Sequence, residues 1–126
     1  MTFGPVTSPD MPKQLGPYSH AVRAGEFLFV AGQAGLDPST GSVPAGDSEA
    51  EARQAFTNLR TVVQAAGASL GQVAKTTVFL SSADDFPAMN QLFAEFFPAD
   101  PPVRSTPIVA LPRGLRISIE AIAFVG

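Results

Sequence analysis

The sequence predicts an α+β domain in which two helices cover one face of a mixed sheet. Two segments repeat apolar residues at helical spacing, and short runs dense in β-branched and aromatic residues lie around them. The 126 residues are 45% apolar and 15% charged, enough for one core and unlike a disordered tail. The element order reads β-β-α-β-α-β-β, as one domain over residues 1–126.

The chain opens with a Pro- and Gly-rich stretch, residues 1–17, read as an irregular lead-in. His20–Arg23 and Phe27–Ala31 are strand candidates around the hairpin turn Ala24-Gly25-Glu26, and Gly32–Gly41 is loop material. Asp47 or Ser48 caps the first helix, with Glu49 and Glu51 favouring the positive end of its dipole. Ala52, Ala55, Phe56, Leu59, Val62, Val63 and Ala66 follow on one face, and Gly67 is a stop.

Val73–Leu80 is the next strand. Ser82 or Asp84 opens a second helix with Pro87 in its first turn and Phe86, Met89, Leu92, Phe93 and Phe96 on its apolar face. Pro98, Pro101 and Pro102 stiffen the following loop. Val103–Ala110 and Leu115–Val125 are the last two strands, joined as a hairpin through Leu111–Gly114, in a sheet of four or five strands. Ile122 and Phe124 share a face with Glu120, because strand side chains alternate. A second apolar sheet face predicts burial against another subunit.

A net charge of −3, a pI near 4.9 and eight scattered basic residues argue against a nucleic-acid surface. With no cysteine, disulfides, thiolate chemistry and sulfur-ligated zinc are excluded. No stretch approaches the roughly 18 apolar residues of a membrane span, and the first ten residues lack secretory character. A soluble cytoplasmic protein is expected.

Glu120 stands inside the apolar run Leu115–Phe124, where burying a carboxylate is expensive without a partner. Arg104, just after Pro101-Pro102, is the candidate partner, since a hairpin brings both side chains to one neighbourhood. An arginine and a glutamate facing a common pocket suggest carboxylate binding and water activation. The plainer readings are a surface arginine and a salt bridge within the sheet, to Arg116 or to another subunit. Tyr18, the only tyrosine, either packs or walls a pocket; His20, the only histidine, is read as structural. Gly32 belongs to no phosphate-binding fingerprint but can present its backbone N–H to a ligand. No Ser-His-Asp arrangement can be argued.

Gly16-Pro-Tyr-Ser19, Ala31-Gly-Gln33, Ala52-Arg-Gln54, Val73–Phe79, Met89-Asn90, Phe96-Phe97, Pro102-Val-Arg104 and Ile119–Ala123 occur in an order that resembles the RidA or YjgF-like family, the reactive intermediate deaminases. The resemblance covers nearly the whole chain. It implies a chorismate-mutase-like fold, a homotrimer with clefts between subunits, no cofactor and no metal. The implied activity is hydrolysis of 2-enamine and 2-imino acids, such as 2-aminoacrylate and 2-iminopropionate, to 2-keto acids and ammonia. It places the carboxylate-gripping arginine on Arg104 and the pocket tyrosine on Tyr18. The ligand-facing glycine falls on Gly32, the helix asparagine on Asn90, and a pocket position often held by cysteine on Thr106. Typical deaminases read Ile-Glu-Ile-Glu-Ala in the last strand; here it reads Ile117-Ser-Ile-Glu-Ala121. Ser118 therefore falls on the water-holding position and Glu120 on the second glutamate. A metabolite-binding trimer without turnover, and a specialised pathway deaminase on the same scaffold, are the alternatives.

Overall fold

The computed structural model describes residues 2–126. Its strands are β1 (Phe3–Val6), β2 (Ala21–Ala24), β3 (Phe27–Ala34), β4 (Val73–Leu80), β5 (Val103–Ser105) and β6 (Ile117–Phe124). Its helices are α1 (Ser48–Ala65) and α2 (Phe86–Phe96). The strands form one six-stranded mixed sheet in the order β1-β2-β3-β6-β4-β5. Only β4 and β5 pair in parallel; every other neighbouring pair is antiparallel.

The helices form where expected. Asp47 caps α1, its Oδ1 accepting from the Ala50 N–H at 3.1 Å. A 3-10 turn over Ala83–Asp85, capped by Ser82, precedes α2, and Pro87 sits in the first turn of that helix. Ala55, Phe56, Leu59, Val62 and Val63 of α1 and Met89 and Leu92 of α2 are buried against Val78, Leu80, Ile117, Ile119 and Ala123 of the sheet. In β6 the inward residues alternate strictly with Ser118, Glu120, Ile122 and Phe124, which face away from the helices.

The lead-in expectation is corrected at Phe3–Val6: this segment pairs with β2 as a sixth strand, its Phe3 opposite Ala24. Pro5 and Gly4 hid it, yet an edge strand needs only one bonded side, so a proline is tolerated there. The final hairpin is also corrected. β5 is three residues long at the opposite edge, and β4 lies between it and β6. The chain after β5 stays beside β4, where the Leu80 N–H donates to the Pro107 carbonyl and the Val109 N–H to the Leu80 carbonyl. It then rounds the end of β4 through a turn at Pro112–Gly114, with Arg113 at φ 59°. A proline at 107 fits this edge, because the pairing uses its carbonyl and leaves no N–H unmet.

One junction locks α1 to the sheet. Glu51, 4% exposed, accepts the Arg116 N–H at 2.7 Å just before β6. Gly35 lies directly against the backbone of Glu51, where any Cβ would collide with its carbonyl oxygen. The glycine is a close-approach requirement between strand end and helix.

Candidate functional site

Arg104 pairs with Thr76 of β4, and Glu120 pairs with Thr77. Paired residues share a face and consecutive residues alternate, so Arg104 and Glu120 lie on opposite faces of the sheet. Thr76 is fully buried on the helix side, and Arg104 extends over α2. The expected common neighbourhood is therefore absent within one chain; a three-residue edge strand, separated from β6 by β4, replaces the hairpin that would have made it.

On the helix side, Arg104 Nη1 donates to Asn90 Oδ1 at 2.9 Å and approaches Met89 Sδ at 3.8 Å. The guanidinium carbon lies 4.7 Å from the Phe93 ring centre and 5.4 Å from that of Phe86. Phe86 is 38% exposed, so its place on the apolar stripe of α2 reflects contact with Arg104 rather than core burial. Thr106, half-buried, follows β5.

On the open side, β3 carries a bulge. Val30 opposes Ala121 and Gln33 opposes Ile119, so Ala31 and Gly32 together face Glu120. A Cβ on Gly32 would fall 2.5 Å from Ser118 Oγ and would displace that hydroxyl. Gly32, Ser118 and Glu120 thus form one cluster, bordered by Thr77. Lys75, two residues from Thr77 on the same face, curls back to donate to Thr77 Oγ1 at 3.2 Å and to the Thr76 carbonyl at 2.9 Å. Glu120 itself is exposed, so the burial cost expected of it does not arise in the single chain.

Beside this cluster opens a cavity of about 390 Å³ lined by Pro12, Leu15, Tyr18, Gly32, Leu36 and Asn58, among others. The Tyr18 hydroxyl accepts the Leu15 N–H at 3.3 Å, and its ring packs edge-on against His20. His20 is structural: its Nε2 lies 2.6 Å from the Pro12 carbonyl and its Nδ1 3.2 Å from Gln33 Nε2. A carbonyl only accepts and an amide nitrogen only donates, so the proton is on Nε2. At the rim, the Ser39 hydroxyl and N–H both donate to Asp37 and hold its carboxyl below the usual aspartate range. Asn58 donates to the carbonyls of Ala34 and Leu36 and fixes the loop that forms one wall. A buried asparagine in a helix marks such a tie, because it must be satisfied. The helical spacing assigns Phe86 and Phe93 to the apolar face of α2, and the sequence assigns Lys75 no role at the site.

Among the described residues no three His, Asp or Glu side chains gather as metal ligands, and no helix is long and apolar enough to cross a membrane.

Six mixed strands with a helix layer on one face and the Gly32, Ser118 and Glu120 cluster on the other define an α+β protein. The family model described as Endoribonuclease L-PSP matches residues 8–125, and the chain belongs to that family, the RidA or YjgF-like proteins. A RutC family protein of Pyrococcus horikoshii is 45% identical over 114 residues, 90% of each chain. The 2-iminobutanoate/2-iminopropanoate deaminase of Mus musculus is 40% identical over 96% of this chain and 90% of its own. Among solved structures, Escherichia coli TdcF with bound serine superposes with a TM-score of 0.91 at 35% identity, covering 98% of this chain and 99% of TdcF.

Proposed function

We propose that the protein hydrolyses reactive 2-imino and 2-enamine acids to 2-keto acids and ammonia, as a homotrimer of chorismate-mutase-like domains with its sites between subunits. The observation that carries this is the separation of the site into two halves: an arginine anchor at the β5 edge on the helix face, and Gly32, Ser118 and Glu120 on the open face, with the Tyr18 cavity beside them. A second copy can bring one half to the other. The open face is suited to such an encounter, with Phe27, Phe29 and Phe124 each 44–46% exposed beside Ile122. Relatives named as imine deaminases, and a structural neighbour holding serine, support a small amino-acid-like substrate.

The chemistry asks little of the protein. The carbon of a protonated imine is already electrophilic. Arg104 grips the substrate carboxylate and Tyr18, Gly32 and Thr106 shape the pocket, so positioning supplies much of the rate. Water adds to C2, forming the C–O bond while a carboxylate takes its proton. That proton passes to nitrogen; the C–N bond then breaks as the carboxylate takes the remaining hydroxyl proton, leaving the keto acid and ammonia, which carries that proton away as ammonium. Glu120 takes the proton, because a serine hydroxyl at position 118 can orient water but cannot act as a base at neutral pH. The deciding experiment adds purified protein to a dehydratase that generates 2-iminopropanoate and follows pyruvate. Formation no faster than in buffer would falsify the reading.

A further inference from the structure

We propose that Asn90, Phe86 and Phe93 fix the plane of the Arg104 guanidinium so that its Nε–Nη2 edge, and no other, receives the substrate carboxylate. The inference rests on the reading of Arg104 as the substrate anchor, and it makes Asn90 a positioning residue in place of a direct substrate contact.

A guanidinium offers two forks to a carboxylate: the end formed by Nη1 and Nη2, and the side formed by Nε and Nη2. Here Nη1 is committed, to Asn90 Oδ1 at 2.9 Å and to Met89 Sδ at 3.8 Å. Among the described residues no hydrogen bond or ion pair uses Nε or Nη2 of Arg104. The end fork is thereby spoiled and the side fork left whole. Two aromatic rings, 4.7 and 5.4 Å from the guanidinium carbon, attract the cation through their π-faces. Guanidinium is weakly hydrated, so contact with the rings costs little and leaves its donors for the edge. Phe86, Met89, Asn90 and Phe93 come from successive turns of one face of α2, and α2 is itself held by buried Met89 and Leu92. The plane of the anchor is thus tied to a rigid helix although β5 is a three-residue edge strand. Lysine in this cradle keeps a charge but has no planar fork to direct.

The test is calorimetric binding of 2-oxobutanoate, with melting temperature as a check on folding, for wild type, Asn90→Ala, Phe86→Leu, Arg104→Lys and the Asn90→Ala, Arg104→Lys double variant. Asn90→Ala and Phe86→Leu each weaken binding about fivefold to tenfold and raise KM alike. In the Arg104→Lys background, Asn90→Ala adds less than about twofold, since its effect passes through the planar guanidinium. Equal weakening in both backgrounds means that Asn90 touches the ligand itself and overturns the inference. Wild-type binding by Asn90→Ala and Phe86→Leu also overturns it, while leaving the anchor in place. Wild-type binding by Arg104→Lys removes the anchor, a separate result that takes the function reading with it.

Discussion

Arg104 and Glu120 flank β4 from opposite sides and project from opposite faces of the sheet, through their pairings with Thr76 and Thr77. No side-chain rotation joins them within one chain. If both serve one reaction, each site draws them from different subunits. Arg104→Ala and Glu120→Gln chains, each inactive alone, should then complement when unfolded, mixed and refolded. Random trimer assembly restores about a quarter of the sites, because each needs an intact residue from two chains. Absence of any recovered keto-acid formation in the mixed sample argues for sites contained in single subunits.

Glu120 and Ser118 can be separated by kinetics. Glu120→Gln keeps shape and removes the proposed base, so kcat is expected to fall about 100-fold or more, the usual scale of general base catalysis. Ser118→Ala lowers kcat less than about tenfold, the scale of a lost orienting contact. The reverse ranking, read from initial rates of keto-acid formation, assigns the water to Ser118.

The exposed aromatic face predicts an assembly. Phe29 pairs with Ile122 and Phe27 with Phe124, making an apolar surface across β3 and β6. Phe29→Asp places a charge at its centre, and desolvating an unpaired carboxylate there costs several kcal/mol. Sedimentation should show the wild type at three times the 13.1 kDa chain mass and the variant at the chain mass. A wild type that sediments as a monomer sinks the two-subunit site.

The Glu51–Arg116 tie is a stability element. Glu51→Ala strands the Arg116 N–H beside a buried position and should cost about 1–3 kcal/mol in chemical unfolding. Glu51→Gln retains an acceptor and should recover more than half of that loss. Equal destabilisation by both variants means that the contact is not the source.

Asp37 gives a pH signature. Its carboxyl lies below the ordinary aspartate value because the Ser39 hydroxyl and N–H donate to it. A depressed acid contributes its stabilisation above the unfolded-state pKa and loses it as pH falls through the lower folded value. In Ser39→Ala, the Asp37 midpoint followed by NMR should rise toward the ordinary value. An unmoved midpoint rules out the hydroxyl as the cause.

Both helices were legible because each repeats a pattern with its own period and end signals, from the Asp47 cap to Pro87 in the first turn of α2. β1 was not, since Phe3-Gly-Pro-Val6 lacks alternation, and pairing with β2 alone gives it strand form. The last two strands were legible as strands but not as non-neighbours. A hairpin and a connection that straddles β4 have the same local sequence signs, and only the competition for places in the sheet separates them.

For the site, sequence singled out Arg104, Glu120, Tyr18 and Gly32 as unusual residues in their surroundings, and alternation along β6 put Ser118, Glu120, Ile122 and Phe124 on one face. That much follows from covalent order and strand geometry. Tertiary structure alone decided that Arg104 faces α2, that Phe86 and Phe93 cover its guanidinium, and that Gly32 and Ser118 contend for the same space. The physical reason is that strand order in a sheet is a long-range property. Pattern fixes which way a side chain points from its own strand, while the neighbours it meets depend on which strands the whole core places beside it.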